Sequence, residues 1–190
     1  MPSPIRLSFP GASGAELSAR LDLPACPPRA FALFAHCFTC SKDLTASRTI
    51  ASALNSAGIG VLRFDFTGLG GSGGDFGSTN FTMNLGDLKA AAAFLDEHYA
   101  APHLLVGHSL GGAAVIAVAG EIGSVKAVAT IGAPAETSHV AGHLGDSLQT
   151  ILEQGEAEVA LADRPFRIKR QFLEDLDRHA LDDGIHDAPD

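Results

Sequence analysis

One serine in this chain sits where its hydroxyl could act as a nucleophile. Ser109 is the centre of Gly107-His108-Ser109-Leu110-Gly111, a Gly-x-Ser-x-Gly turn. Such a turn joins a strand to a helix and lifts the serine side chain clear of the backbone. A hydroxyl attacks well only when it is held out in this way, near a base and near donors for the developing oxyanion. The turn crowds the residues two before and two after the serine, and Gly107 and Gly111 relieve the crowding because they carry no Cβ. A helix beginning after Ser109 would aim its first N–H groups at charge forming beside it.

The same five-residue pattern occurs a second time around Ser72, in Gly70-Gly71-Ser72-Gly73-Gly74. Context separates the two. Apolar Leu104, Leu105 and Val106 precede the Ser109 turn, and the apolar run from Ala113 to Ala119 follows it. Ser72 has neither a strand before it nor a helical pattern after it, so it reads as a loop serine. Cys37-x-x-Cys40 precedes a helical pattern and could be redox-active. Its surroundings do not resemble a thioredoxin, Lys42 reads as solvated, and both cysteines are expected as structural thiols. His139 and His143 lie four apart, as metal ligands on a helix might, but no third ligand completes a site. No metal and no cofactor is expected. His186, among Asp182, Asp183 and Asp187, reads as part of a solvated tail.

The elements that must position Ser109 follow in order along the chain. Ile5–Phe9 and Ala15–Leu23 alternate around Gly11–Gly14 and predict an antiparallel hairpin. Ala30–Ala35 is continuously apolar, as expected of a strand buried on both faces. A helix follows through Ile50, Ala53, Leu54 and Ala57, then a strand Gly60–Phe64. The glycine-rich stretch 65–80 is expected to hold no regular structure. Phe81, Leu85, Leu88, Ala92, Leu95 and Tyr99 mark a helical face. The strand before Ser109, its helix and a strand Val125–Ile131 come next. Alternating strands and helices imply a mostly parallel sheet covered on both sides. Ligands in such sheets bind at the carboxyl ends of the strands, where His36, Asp65, Ser109 and Gly132 all fall. Beyond Pro134 the pattern changes to a helix at Leu148–Glu153, a hairpin at Glu158–Ile168 turning at Asp163-Arg164-Pro165, and a helix at Lys169–Arg178. The expected organisation is a core over 1–132, a lid-like insertion over 133–178 and a tail over 179–190.

At 190 residues, 46% hydrophobic and 18% charged, the chain has the composition of one globular domain. Thirteen basic against 22 acidic residues give a net charge of −9, which argues against nucleic acid or an anionic membrane as partner. No apolar run approaches a membrane span, and the N-terminus lacks the apolar stretch of a signal peptide. Three cysteines in such a chain suggest a reducing, cytoplasmic setting.

Four segments in order, AHCFTCSKD, RFDFTGLGGSGG, GHSLGG and TIGAP, resemble the α/β-hydrolase family, in its serine esterase and aminopeptidase-like branch. HCFTCSKD and the RPFRIKRQFLEDL stretch look most like the N-terminal hydrolase part of bacterial proteins fused to an OsmC-like domain. The resemblance implies an α/β-hydrolase fold and action on a small carboxylic ester or related acyl substrate. It makes Ser109 the nucleophile and the backbone N–H groups of Leu110 and Phe38 the oxyanion donors. Cys37 stands where many relatives have glycine. Asp65 and Gly68 match a structural Asp-x-x-Gly loop. His36 matches a loop-ordering position, with a direct catalytic role as the alternative. In this family the acid and the histidine of the triad follow two further strands, and no later segment here reads as a buried strand. The competing expectations are therefore a serine hydrolase, a truncated and inactive hydrolase-like scaffold serving as an interaction module, and a thiol-redox protein using Cys37 and Cys40. The strand at 125–131 is expected to form an open sheet edge, through which copies of the chain could self-associate.

Overall fold

The computed structural model describes residues 3–135, 142, 144–161 and 164–179. Its frame is a six-stranded sheet of β1 (Ile5–Pro10), β2 (Glu16–Asp22), β3 (Ala30–Ala35), β4 (Ile59–Phe64), β5 (Pro102–His108) and β6 (Ala127–Ile131). Their order across the sheet is β1-β2-β4-β3-β5-β6. β1 and β2 form the expected antiparallel hairpin, and β2 runs antiparallel to β4. The β4–β3, β3–β5 and β5–β6 pairs are all parallel.

The helices are α1 (Thr45–Ser56), α2 (Phe81–His98), α3 (Leu110–Ala119), α4 (Ser147–Gln154) and α5 (Arg170–Arg178). Because side chains alternate along a strand, β3 feeds two layers. Ala32 and Phe34 pack with Val61, Val106, Ala51 and Leu54 on the α1 face. Phe31, Leu33 and Ala35 join Leu62, Phe64 and Leu105 beneath α2 and α3 on the other. α3 is apolar throughout and eight of its ten residues are buried, as a helix without a polar face must be. α2 begins where the Asn80 side chain accepts the Met83 N–H at 2.8 Å, a local cap that stops the glycine-rich loop.

After β3 the chain moves to β4 on one side, and it then returns to β5 on the other. The strand order therefore reverses between β3 and β5, and the carboxyl ends of these two strands flank the crevice that such a reversal opens.

β7 (Glu156–Leu161) and β8 (Arg164–Lys169) form a separate antiparallel hairpin. The turn expected at Asp163-Arg164-Pro165 is corrected: β8 already starts at Arg164 opposite Leu161, and Pro165 pairs with Ala160. A proline is tolerated there because each strand of a two-stranded ribbon is an edge. Ile151, Val159, Ile168, Phe172, Leu173 and Leu176 enter the same hydrophobic cluster as the α2–α3 layer. Asp175 accepts from the Thr82 N–H at 2.7 Å and the Thr82 hydroxyl at 2.8 Å, which ties α5 to α2. His179 docks too, with Nε2 2.9 Å from the Thr82 hydroxyl.

The stretch 65–80 is also not wholly irregular. Phe76–Ser78 form one 3₁₀ turn, organised by Asp75, whose carboxylate accepts the Gly77 N–H at 3.2 Å and the Ser78 hydroxyl at 2.8 Å. Among the described residues β6 pairs with β5 alone, and four of its five residues are exposed.

Candidate active site

β5 ends at His108, α3 begins at Leu110, and Ser109 alone makes the turn, with φ 54° and ψ −125°. A non-glycine residue in this region is strained, so the surroundings must hold it. The Ser109 N–H donates to the Ile131 carbonyl of β6 at 2.9 Å, and the Ser109 carbonyl accepts from Gly112 at 2.7 Å. The two glycines flanking the turn are required by contact. A Cβ on Gly107 would lie 2.5 Å from the Gly112 Cα, with the Gly111 carbonyl closer still. A Cβ on Gly111 would lie 2.5 Å from the Ala35 carbonyl oxygen, with that of His36 closer. The helix N-terminus is thus pressed onto the end of β3, which brings the loop after β3 to the Ser109 turn.

That loop carries Phe38. Phe38, Leu110 and Gly111 line one small, mostly apolar pocket with His36, Phe66, Phe76 and Ala114. The structure therefore brings together Phe38, Leu110 and Gly111, directly beside Ser109, while Gly107 lies behind the turn under α3. The Ser109 carbonyl takes the Gly112 N–H, and the N–H groups of Leu110 and Gly111 precede any intrahelical partner, so this end of α3 suits a site for negative charge. His139, His143 and His186 lie outside the described residues. Among the described residues no cluster of three His, Cys, Asp or Glu side chains is placed to hold a metal ion.

His36 is fully buried. Its Nδ1 lies 2.8 Å from the Cys37 carbonyl, and its Nε2 accepts the Phe66 N–H at 3.4 Å. Burial lowers its pKa from the usual 6.5, against a smaller opposing effect of the Cys37 carbonyl. A neutral ring with both nitrogens engaged on backbone orders the loop.

Asp65 is the hub of the wall. Its carboxylate accepts the Lys42 N–H at 2.6 Å, the Lys42 ammonium at 2.5 Å and the Gly71 N–H at 2.8 Å. Lys42 is not solvated, as its sequence neighbours suggested. It is 5% exposed, because the chain folds it over Asp65 while its carbonyl receives the Arg63 guanidinium. Arg63, also buried, donates from Nε to Asp22 at 2.8 Å. Ser72 is a loop staple: its hydroxyl donates to the Asp65 carbonyl at 2.6 Å and accepts the Ser18 N–H at 2.9 Å.

The expectation of two separate thiols at Cys37 and Cys40 is corrected as well. The two sulfurs are bonded, with Cα atoms 5.3 Å apart. The reason is local: a tight turn, closed by the Cys40 N–H on the Cys37 carbonyl at 3.1 Å, brings the side chains within bonding range. Sequence reasoning also missed the groups that cover this loop. Phe172 of α5 stacks on Phe38 at 5.0 Å, and Arg164 of β8 donates to the Thr39 carbonyl. They lie more than a hundred residues from the loop they cover, and no local pattern marks them.

Compared with known protein families, residues 27–158 match the one described as serine aminopeptidase, S33. The chain belongs to this family of α/β hydrolases. Solved structures agree with the assignment. The family member is 54% identical to the esterase domain of a Rhodothermus marinus protein, over 97% of this chain and 72% of that one, with a TM-score of 0.73. Est1E from Butyrivibrio proteoclasticus, solved with ferulic acid bound, shares the fold at 22% identity and a TM-score of 0.81, over 94% of this chain and 73% of that one. Mouse alpha/beta hydrolase domain-containing protein 10 does so at 22% identity and a TM-score of 0.69, over 95% and 71%. No curated protein sequence matches this S33-family chain. Among its described residues, no helix is long and apolar enough to cross a membrane.

Proposed function

We propose that this chain is a serine hydrolase acting on a small carboxylic ester or related acyl compound. Ser109 is the nucleophile, and the backbone N–H groups of Leu110 and Phe38 receive the oxyanion. One observation carries this reading. Ser109 occupies a strained backbone conformation at φ 54°, in a turn whose glycines are needed to bring α3 against β3. Strain of this kind persists only where surrounding structure enforces it, and it concentrates at functional sites. The apolar pocket shared by Phe38, Leu110 and Phe76 supports a small apolar acyl group. The esterase domain from R. marinus, at 54% identity, supports ester chemistry over peptide chemistry. A cytoplasmic setting belongs to the same reading and rests on the cysteine count. There the Cys37–Cys40 bond would be a reversible one.

Ser109 is expected to react with a fluorophosphonate probe, and Ser109→Ala to abolish both labelling and hydrolysis of short p-nitrophenyl esters. Labelling that survives Ser109→Ala, or that maps to Ser72, would overturn the assignment. A chain that neither labels nor turns over would instead be a hydrolase-like scaffold serving as an interaction module.

A further inference from the structure

The Cys37–Cys40 bond encloses two residues, and both are contact points between the sheet and the elements that cover it. Phe38 lines the pocket beside Ser109, and its ring lies against Phe76 at 5.4 Å and stacks on Phe172 at 5.0 Å. Thr39 is buried and has φ 70°, and its carbonyl accepts the Arg164 guanidinium. Arg164 itself sits over the Phe166 ring at 5.3 Å, and Phe166 meets Phe76 at 5.1 Å. A β-branched residue at positive φ is an outlier that something must enforce. The four-residue ring closed by the disulfide supplies that constraint.

We propose that Cys37–Cys40 is a reversible thiol–disulfide switch that sets the position of the Phe38 backbone and the docking of β8 and α5 against the loop. Both cysteines are half-buried, so a small thiol reaches them. The reductant is a low-molecular-weight thiol. Its thiolate attacks one cysteine sulfur, the S–S bond breaks, and the departing cysteine thiolate takes a proton. A second thiol resolves the mixed disulfide. Two thiols are thereby oxidised to one small disulfide, and the protein gains two electrons and two protons. The reverse exchange with a small disulfide restores the bond.

In the open form Thr39 is released from positive φ. Its relaxation rotates the peptide that carries the Thr39 carbonyl away from Arg164 and shifts the Phe38 N–H and ring with it. The effect on catalysis rests on the reading of Phe38 as an oxyanion donor, but the conformational effect does not. A misplaced donor is expected to lower turnover on the order of tenfold, less than the roughly 10²–10³ of a deleted one.

Three readouts on the full chain test this. Alkylation with iodoacetamide under denaturing conditions should modify one cysteine in the oxidised protein, the free Cys26, and three after dithiothreitol. Amide exchange at 38–41 and across 164–176 should be several-fold faster in the reduced protein than in the oxidised one, with β1 and β2 unchanged. Cys40→Ser should exchange like the reduced protein and ignore dithiothreitol, in exchange and in p-nitrophenyl acetate turnover alike. Three alkylated cysteines before reduction, equal exchange at 38–41 in both redox states, or a dithiothreitol response that persists in Cys40→Ser would each overturn the switch. A chain with no turnover but with the exchange difference would retain the switch and count against the Ser109 reading alone.

Discussion

Replacing Lys42 with Met tests whether the wall of the candidate site depends on a buried ion pair. The Lys42 ammonium lies 2.5 Å from an Asp65 oxygen, with side chains 6% and 0% exposed. Methionine keeps most of the apolar stem and its packing, so the loss is electrostatic. Removing one partner of a buried pair generally costs about 3–5 kcal/mol, because the remaining charge is stranded. Here the stranded carboxylate retains the backbone N–H groups of Lys42 and Gly71, and the lower end of that range, about 3 kcal/mol, is expected. For a chain of this size each kcal/mol shifts Tm by roughly 2–4 °C, so Tm should fall by about 6–12 °C. The assay is thermal and urea unfolding followed by circular dichroism, with amide exchange over 66–72 to show that the loosening begins at the loop. The Lys42→Met/Asp65→Asn pair should be less destabilised than the sum of its singles by about 2 kcal/mol, a coupling usual for groups in one network. A loss below ~1 kcal/mol in Lys42→Met, the scale of an exposed pair, would refute the reasoning and return Lys42 to the solvent.

Three further outcomes are expected. Gly111→Ala, whose new methyl meets the Ala35 and His36 carbonyl oxygens, should destabilise by about 2 kcal/mol or more and cut fluorophosphonate labelling of Ser109; unchanged Tm and labelling would show the turn is not so tightly held. Because burial lowers the His36 pKa below 6.5, the unfolded chain binds a proton that the folded one refuses. Its stabilisation is therefore full above about pH 6.5 and lost as pH falls, and the urea midpoint should drop between pH 7 and 5.5 by more in the wild type than in His36→Gln. Asp87 has the opposite sign, since burial raises its pKa above 3.8, and the comparison with His36→Gln removes its contribution. Finally, the exposed β6 edge, with Ile131 43% exposed, should drive concentration-dependent self-association by sedimentation velocity, and Ala129→Lys should suppress it. A monomer at all concentrations would remove that expectation.

Local chemistry alone determined most of the frame. Ala30–Ala35 is apolar at every position, and a run of this length suits a strand covered on both faces. The Ser109 turn was legible because its glycines, the apolar strand before it and the apolar helix after it are contiguous in sequence. Tertiary structure decided what depends on partners far along the chain. Lys42 reads as a surface residue beside Ser41 and Asp43, and only the pairing of β3 with β4 brings Asp65 to it. Pro165 reads as a turn residue until the hairpin places it on an edge. The order of β4, β3 and β5 locates the crevice, and no window of sequence contains all three strands. Cys37 and Cys40 are visible in the sequence as a pair, but their bonding depends on the turn between them, and the groups that cover that turn are not local. Arg164 on the Thr39 carbonyl and Phe172 on the Phe38 ring come from the far end of the described chain. A side chain's burial and charge state follow from what surrounds it in space, and pairs as far apart in sequence as Lys42 and Asp65 or Thr39 and Arg164 become neighbours only when the sheet has formed.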